Sequence, residues 1–465
     1  MNEIVNDIHS ELNETVVKEI VSVATPEDVQ RAIRRAAEEG LRVSIAGGRH
    51  AMGGQQFCTG GLLLDMRGLT DVSSFDPAQG TIEVQAGIQW PQLIEYLSDV
   101  GNEDGMPWAI RQKQTGADRL SIGGALAANA HGRGLTMAPF VSDVESFVLV
   151  DAAGEFVTCS RQQNPELFAL VAGGYGLFGC VVSATLRLAP RKTLERVVEV
   201  RPIDDLTGMF DRRIEDGFLY GDFQFATDPA DDDFLRRGVF SCYRPVEHDG
   251  PLPTGQRALS REDWARLIAL AHTDKGRAFD LYAEHYLATS GQLYYSDAHQ
   301  LADYEDGYHR KLDELLRAPH RATEMISELY VPRARLSDFM ADVAEDFRRN
   351  GVDVIYGTIR LIERDEDSFL AWAREPWACV IFNLHTVHTT DGLEHAAAAF
   401  RRLIDLAADR GGSYFLTYHR WATREQVERC YPRFREFLET KLIHDPEERF
   451  QSDWYRHHRE LFATG

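Results

Sequence analysis

The first 190 residues alternate short apolar runs with segments of helical periodicity. Thr25 and Pro26 are typical of a helix start, and the apolar stripe that follows them ends at Gly40. The pattern predicts strands at residues 42–46, 62–65, 81–85, 144–150 and 180–188, and helices at residues 91–99, 122–130 and 165–171.

The pattern changes after residue 192. Residues 244–255 form a long loop rich in Pro and Gly, and this length favours a functional or interface segment. Beyond it we predict long helical stretches at residues 261–287 and 302–316, strands at 328–331, 354–361 and 378–385, and helices at 336–350 and 393–410. The segment from Tyr414 onwards is aromatic and charged, with short helices. These changes predict a domain boundary between residues 190 and 200.

Composition and charge limit the partners of the chain. Its 465 residues are enough for two to three domains, and 44% hydrophobic with 26% charged residues is ordinary for a globular protein. There are 50 Lys and Arg against 73 Asp and Glu, which gives a net charge of −23. That charge disfavours nucleic acid and anionic membranes as partners.

The sequence shows no targeting or metal-binding pattern. No apolar run reaches the roughly 18 residues of a membrane span, and the acidic N-terminus is unlike a secretory signal. The 6 cysteines are scattered, without C-x-x-C and without a Cys/His group of zinc spacing. We therefore expect a soluble cytoplasmic protein with reduced thiols and no metal site.

Glycines crowd around one histidine in SIAGGRHAMGG, residues 44–54, directly after a predicted strand. Glycine lets backbone N–H groups approach an anion, because it has no Cβ and adopts positive φ freely. The loop matches neither the P-loop nor the G-x-G-x-x-G dinucleotide pattern. Taken alone, it is compatible with a phosphate site, and equally with an ordinary loop in which His50 bonds the backbone.

Two further glycine segments follow, LSIGGALAANAHGRG at residues 120–134 and AGGYGLFG at residues 172–179. Chance turns explain any one of the three segments, but all three together indicate backbone packed along an extended ligand. In order and spacing they resemble the FAD-binding domain of the vanillyl-alcohol-oxidase type, the PCMH-type fold, over residues 15–190.

This resemblance implies an α+β fold in which FAD lies extended, with its pyrophosphate held by residues 46–50. A two-part PCMH-type FAD-binding domain would occupy residues 15–191, and a substrate (cap) domain with an antiparallel sheet flanked by helices would occupy 192–413. A C-terminal segment, 414–465, would return to the FAD domain. The cofactor-binding residues that it implies are Ala46, Gly47, Gly48, Arg49, His50, Gly53, Ser121, Gly123, Gly124, Asn129, His131, Gly132, Gly179 and Val181.

His50 occupies the position at which family members often bond a histidine to the 8-methyl carbon of the flavin. A neutral imidazole nitrogen is a competent nucleophile toward an electron-poor carbon, which agrees with such a bond. The alternative is a histidine that only contacts the ring. A second, cysteinyl bond is disfavoured, because residues 118–121 contain no cysteine.

The C-terminal half resembles the sugar-oxidising branch of this family, which includes aldonolactone, alditol and decaprenylphosphoryl-ribose oxidases. The segments that carry this resemblance are SELYVPR at residues 327–333, GTIR at 357–360 and the closing pattern from Tyr431 to Phe450. Arg360 matches the substrate-facing arginine of the lactone and alditol enzymes, but Thr358 stands where their acid would be. This departure argues against a simple polyol or aldonolactone as substrate.

Strand alternation places Thr358 and Arg360 on one face, so that both can point at the flavin. The Arg360 guanidinium there would hold a substrate oxygen, a carboxylate or negative charge on the reduced flavin. The alternative is a salt bridge to Glu363 or Asp365.

The segment YFLTYHRW, residues 414–421, resembles a strand that presents a Lys or His to the flavin in the related branch. Alternation puts His419 on the face opposite Tyr418 and Arg420, and we favour His419 as the base or flavin-facing donor, with a structural role as the alternative. His385 and His388 are weaker candidates, compatible with the core or an interface.

These observations predict an FAD-dependent oxidoreductase. Its substrate would be a hydroxylated small molecule, sugar-, lactone- or alcohol-like, that gives hydride to flavin N5, with O2 or another acceptor reoxidising the flavin. The alternatives are a flavin oxidase of specialised metabolism that catalyses desaturation or C–C or C–N chemistry, and a flavin-binding protein without turnover. The predicted catalytic residues are Arg360, His419, Tyr418 and Thr358.

Overall fold

The computed structural model describes residues 2–104, 107–302 and 307–463, and it shows an α+β protein. The strands, in chain order, are β1 (Glu3–Val5), β2 (Thr15–Val17), β3 (Glu19–Ser22), β4 (Val43–Ala46), β5 (Leu62–Asp65), β6 (Val72–Asp76), β7 (Thr81–Gln85), β8 (Trp108–Ile110), β9 (Val144–Val150), β10 (Phe156–Ser160), β11 (Cys180–Pro190), β12 (Thr193–Pro202), β13 (Tyr220–Phe225), β14 (Arg237–Pro245), β15 (Leu293–Tyr295), β16 (Ala322–Pro332), β17 (Val354–Ile362), β18 (Trp377–Val387) and β19 (Ser413–Tyr414). The helices are α1 (Pro26–Glu38), α2 (Trp90–Asp104), α3 (Ile122–Ala128), α4 (Pro165–Val171), α5 (Leu206–Glu215), α6 (Arg261–Thr273), α7 (Lys275–Leu287), α8 (Tyr308–Leu316), α9 (Leu336–Asn350), α10 (Thr390–Ala408), α11 (Arg424–Cys430), α12 (Phe434–His444) and α13 (Asp453–Ala463).

The strands form three main sheets and one small hairpin. Strands β3, β5 and β4 make a parallel sheet, and β10, β9, β11, β7 and β6 make an antiparallel one in which β8 also pairs with β11. The third sheet has the order β15-β12-β14-β13-β17-β18-β16-β19 and is antiparallel. The chain passes from the second sheet to the third between Pro190 and Thr193, where the sequence predicts a boundary. The domain limits themselves stay a prediction.

Helix α1 illustrates how the local sequence sets these elements. Thr25 caps it and forms a reciprocal capping box with Asp28. Its stripe of Val29, Ile33 and Ala36 is buried against the parallel sheet and the neighbouring strand β11. Full burial of a large aliphatic side chain contributes roughly 1.5–3 kcal/mol, so this packing stabilises the helix more than its intrinsic propensity does.

The second and third sheets share one hydrophobic core. Val84 and Leu186 of the second sheet belong to the same buried cluster as Phe223 and Val380 of the third. The C-terminal helices contribute Trp454 to it as well. This continuous packing holds the glycine motifs and the eight-stranded sheet against each other.

Several predicted elements have the observed bounds, and the deviations have local causes. The predicted helix at 261–287 is two helices, because the chain breaks at Asp274, whose side chain caps α7. Of the predicted helix at 302–316, residues 303–306 lie outside the described residues, and α8 begins at Tyr308. The segment 414–421 is a strand only at its first residue, since β19 ends at Tyr414 and the chain then turns. Within the described ranges, we find no helix with the length and apolar character that a bilayer crossing requires.

Candidate functional site

A cavity of about 1160 Å³ lies between the glycine motifs and one face of the eight-stranded sheet. The loop after β4, the start of α3 and the end of the third glycine motif form one side of it. Strands β13 and β17 form the opposite side, and helices α6, α7 and α8 extend that wall. The volume exceeds the roughly 300–1,000 Å³ of a pocket for a drug-sized ligand, so the space suits a large cofactor together with a substrate.

The glycines of the first motif bring its loop against the second motif. A Cβ on Gly47 would overlap the hydroxyl of Ser121, and a Cβ on Gly48 would overlap the backbone oxygen of Arg119. Ser121 caps α3 by accepting a hydrogen bond from Gly124 N at 3.2 Å. Only glycine therefore allows the first loop and the start of α3 to form one continuous wall.

The structure divides the predicted cofactor-binding residues into two groups. The residues that line the cavity are Gly47, Gly48, Arg49, His50, Ser121, Gly123, Gly124, Gly179 and Val181. The residues that lie outside its lining are Ala46, Gly53, Asn129, His131 and Gly132. For this second group the predicted cofactor contact stays a prediction.

The residues of this second group have clear structural roles. Ala46 ends β4 inside the parallel sheet, and Gly53 N donates to Thr417 O at 3.0 Å. Asn129 ends α3 in the left-handed conformation and donates to Asp365 Oδ2 at 2.8 Å. These contacts explain why small or amide residues stand there without a ligand.

His131 and Gly132 lie behind the cavity wall. His131 Nε2 is 2.7 Å from Glu328 Oε1, and a Cβ on Gly132 would lie 2.8 Å from the backbone oxygen of Lys113. His131 therefore links the second glycine motif to strand β16 of the third sheet. Glu328 in turn accepts a hydrogen bond from Tyr418, which lines the cavity, so His131 is connected to the cavity indirectly.

Glu328 is the centre of a buried hydrogen-bond network. Tyr418 donates its hydroxyl to Glu328 Oε2 at 3.2 Å, and Tyr330 donates to Oε1. Burial alone would raise the pKa of Glu328, but His131, Tyr330 and Arg360 hold it below its usual range. Burial raises the pKa of Tyr418, which lines the cavity, so its phenol stays protonated and acts as a donor rather than a base.

His50 faces the cavity and contacts a second histidine. Its Nδ1 lies 2.8 Å from Nε2 of His9, which comes from the N-terminal segment after β1. Burial, and then the nearby His50, lower the pKa of His9 well below its ordinary value. His9 is therefore neutral at physiological pH and holds the ring of His50 by an uncharged contact.

Strands β13 and β17 present a polar face to the cavity. Gln224 on β13 lies directly opposite Thr358 on the antiparallel strand β17. Asp222 is two residues from Gln224 and Arg360 is two residues from Thr358, so each lies on the same face as its neighbour. Asp222 Oδ1, Gln224 Oε1, Thr358 Oγ1 and two nitrogens of Arg360 are buried without a hydrogen-bond partner among the described residues. Since buried polar atoms are nearly always paired, this face is built for a polar ligand.

The salt-bridge alternative for Arg360 does not occur. Glu363 instead pairs with Arg333 at 2.8 Å, and Asp365 accepts hydrogen bonds from Asn129 and Ser368. The Arg360 guanidinium instead lines the cavity and interacts electrostatically with the buried Glu328. Thr358 and Arg360 both line the cavity, as expected from the alternation of side chains along the strand.

His419 does not line the cavity, and this position favours the structural role that the sequence leaves as its alternative. It is buried between Phe400 and Trp421, with ring centroids 4.3 and 5.7 Å away. Burial, with a smaller contribution from Arg401, lowers its pKa to about 3. Arg420 also lies outside the lining, and one of its nitrogens is 3.4 Å from Asn13 Oδ1.

His419→Gln should flatten the pH dependence of stability and preserve turnover. Between pH 6.5 and about 3 the unfolded chain protonates this histidine and the folded chain does not. The free energy of unfolding therefore falls as the pH falls, by about 1.4 kcal/mol per pH unit. Urea denaturation at pH 7 and pH 5 should show a loss about 2 kcal/mol smaller in the variant than in the wild type. Equal losses would show that His419 titrates normally.

Several cavity residues were missed in the sequence. Asp222 and Gln224 belong to YGDFQF, where polar and aromatic residues alternate, and this period of two was the available signal. Arg133 and His299 also line the cavity and are buried. No local pattern marks His299, because its place depends on the packing of the turn after β15.

The lining fits an extended cofactor that has polar groups along its length, such as FAD. On the glycine side, Arg49 Nε, Gln56 Oε1, Gln114 Oε1 and Thr115 Oγ1 are buried without a hydrogen-bond partner among the described residues. They lie along the cavity from the first motif to the segment before the second. Phosphate, ribityl and ring groups would satisfy such atoms, and the glycine loop leaves room for the phosphates.

Known proteins share this chain's N-terminal part and its overall length. Residues 17–160 match a family model described as an FAD binding domain. The chain is 25% identical over 472 residues to the decaprenylphosphoryl-beta-D-ribose oxidase of Mycolicibacterium smegmatis, covering 95% of this chain and 94% of that protein. It is 26% identical over 443 residues to the L-gulono-1,4-lactone dehydrogenase of Mycobacterium tuberculosis, covering 94% and 95%.

A further relative matches over a shorter stretch. An uncharacterized oxidoreductase from the fasciation locus of Rhodococcoides fascians is 34% identical over 170 residues, which is 36% of this chain and 37% of that protein. Together these matches confirm the resemblance to PCMH-type flavoproteins and to their sugar-oxidising branch.

Proposed function

Because the chain is an FAD-dependent oxidoreductase of the PCMH type, we propose that it oxidises a hydroxylated small molecule with Asp222 as the proton acceptor. The substrate would be sugar-, lactone- or alcohol-like and would lie against the polar face of β13 and β17. The observation that carries the proposal is that strand pairing brings Asp222 beside Arg360 in the cavity wall, where one oxygen of Asp222 and two nitrogens of Arg360 are buried without a hydrogen-bond partner in the described part of the chain.

FAD held in this cavity would supply an isoalloxazine ring whose N5 can accept a hydride. Asp222 Oδ1 receives the proton of the substrate hydroxyl as the C–H bond breaks, so that an alcohol carbon becomes a carbonyl carbon. The Arg360 guanidinium holds the substrate oxygen and stabilises the negative charge that develops there. Arg133 Nη1 donates to the other oxygen of Asp222 at 3.3 Å and orients that carboxylate. O2 or another acceptor then removes the two electrons.

In this proposal, Asp222 provides the carboxylate that is absent at position 358. In the lactone and alditol enzymes that the sequence resembles, an acid and an arginine share one strand, whereas here Thr358 takes the place of the acid. The neighbouring strand β13 supplies Asp222 on the same face as its own Gln224, which pairs with Thr358. A carboxylate therefore stands beside Arg360 even though the strand of Arg360 lacks one.

Helices α6 and α7 favour a substrate with an apolar or aromatic portion. Trp264, Tyr282 and Tyr286 line the cavity beyond the polar face, together with aliphatic residues such as Leu267 and Ile268. Aromatic side chains bind flat apolar groups well, and an isolated sugar would leave this wall unfilled. This wall also supports the second candidate function, desaturation or C–C or C–N chemistry on a non-sugar substrate.

Anaerobic bleaching of the flavin tests the proposed function. Sugars, lactones, polyols and aryl or alkyl alcohols are added in turn, and the flavin absorbance is followed. We expect a hydroxylated compound to bleach it, and peroxide on readmission of air would identify an oxidase, while dye reduction without peroxide would identify a dehydrogenase. Bleaching only by compounds without a hydroxyl group would favour the second candidate. A flavin that no compound bleaches would contradict turnover altogether.

We also propose a covalent bond between His50 and the 8-methyl carbon of the flavin. Acid precipitation should leave the yellow colour in the pellet for the wild type and release it to the supernatant for His50→Ala. The variant should keep the circular dichroism of the wild type, because His50 lies in a loop at the cavity wall. Colour in the wild-type supernatant would contradict the bond.

A further inference from the structure

A buried cluster of three histidines and one glutamate lies beside the cavity, apart from the polar face of β13 and β17. Glu324 on β16 stands directly opposite His385 on β18. His272 approaches from the last turn of α6, and His309 from the first turn of α8. Three other elements therefore place histidine side chains around the carboxylate of β16.

The atoms of this cluster converge at ligand-like distances. His272 Nε2 lies 3.0 Å and His385 Nδ1 lies 3.8 Å from Glu324 Oε1, and the three atoms lie within 4.8 Å of one another. Donors held at about 2.0–2.1 Å by one tetrahedral zinc ion are about 3.4 Å apart, which lies between the two measured distances.

The same three atoms are buried and face one another. The side chains of His272 and Glu324 are only 4% and 6% exposed. A divalent cation bound between them would offset the charge of the buried carboxylate and be contacted by all three atoms.

The other carboxylate oxygen of Glu324, Oε2, contacts Tyr308 and His309. The Tyr308 hydroxyl donates to Oε2, and His309 Nδ1 lies 2.7 Å from it. Partners of this kind orient the carboxylate of a metal site and leave its other oxygen free to bind. Tyr308, His309 and Glu324 also line the cavity, so the cluster forms part of its wall.

We propose that His272 Nε2, Glu324 Oε1 and His385 Nδ1 bind a divalent transition metal ion of the zinc type, with water as a further ligand. Two imidazoles and one carboxylate suit Zn²⁺ and its neighbours, and they do not suit Mg²⁺ or Ca²⁺, which prefer oxygen ligands. The ion would fix the end of α6 to β16 and β18 and so hold one wall of the substrate space. The sequence predicts no metal site, because the ligands are separated by 385 − 272 = 113 residues.

Metal analysis of the purified, flavin-loaded protein tests the site. After removal of any affinity tag and treatment with EDTA, the protein is dialysed against Zn²⁺ alone, and zinc is measured by mass spectrometry. We expect about one zinc per chain, a higher Tm in the presence of zinc and, with Co²⁺ instead, the visible absorption of tetrahedral cobalt after subtraction of the flavin spectrum.

Variants separate this site from adventitious binding. The double variant His272→Ala/His385→Ala should bind zinc at least about 100-fold more weakly, and Tyr308→Phe about 10–100-fold more weakly. His395→Ala removes an exposed histidine of α10 and should bind as the wild type does. Flavin content and circular dichroism show whether each variant folds. No zinc in the wild type, or equal zinc in the double variant, would overturn the proposal.

Discussion

Arg360→Ala should lower kcat/KM by about 10²–10³-fold while the protein keeps its flavin. The guanidinium is buried, lines the cavity and has two nitrogens without a hydrogen-bond partner among the described residues. Its donors are thus positioned before the substrate arrives, and they require no rearrangement when charge develops on the substrate oxygen. Arg360→Lys should recover only part of the loss, because an ammonium cannot reproduce two fixed N–H donors.

The measurement is steady-state kinetics with the substrate found by anaerobic bleaching, together with the flavin content of each variant. Arg364→Ala is the matched control, because this arginine is four residues further along and exposed to solvent. It should leave kcat/KM unchanged. An equal loss in both variants, or no loss in Arg360→Ala, would contradict the role of Arg360.

Local patterns predicted much of the fold. The strands at 62–65, 81–85 and 144–150 and the helices at 165–171 and 336–350 have the predicted bounds, because their apolar period and their end signals agree. The three glycine motifs also line one cavity, as the idea of an extended ligand requires. These features depend on neighbours within a few residues.

The errors occur where the structure depends on distant partners. The placement of His419 assumed strand alternation, but β19 ends at Tyr414 and the aromatic rings of Phe400 and Trp421 enclose the histidine. Asp222 was missed because its role follows from the pairing of β13 with β17, about 130 residues further along the chain. No period within either strand specifies that pairing.

The direction of the side chains in the glycine motifs also depends on distant partners. His131 stands in the second glycine motif, but its imidazole turns to Glu328 on β16 instead of facing the cavity. Conversely, His9 contacts His50 although nothing in its own segment marks it. A motif thus identifies a loop near the ligand, whereas the direction of each side chain depends on which element packs behind it.

Asp222→Asn should lower the rate of flavin reduction by about 10²–10⁴-fold, the usual effect of removing a general base. The amide has the shape of the carboxylate and still offers an oxygen to Arg133, so substrate binding and flavin content should change little. The rate should be measured by anaerobic stopped-flow mixing, which separates reduction from reoxidation. Raising the pH should recover part of the rate in the variant, because a deprotonated substrate hydroxyl no longer needs the base.

The exposed Asp232, in the turn between β13 and β14, provides the matched control. Asp232→Asn makes the same change in charge and should leave flavin reduction as in the wild type. If Asp222→Asn also reduces its flavin at the wild-type rate, the proton is taken by another group. If it lowers the rate without any recovery at high pH, Asp222 positions the substrate but does not accept its proton. The proposed role requires both the loss of rate and its recovery at high pH, because only proton transfer couples them.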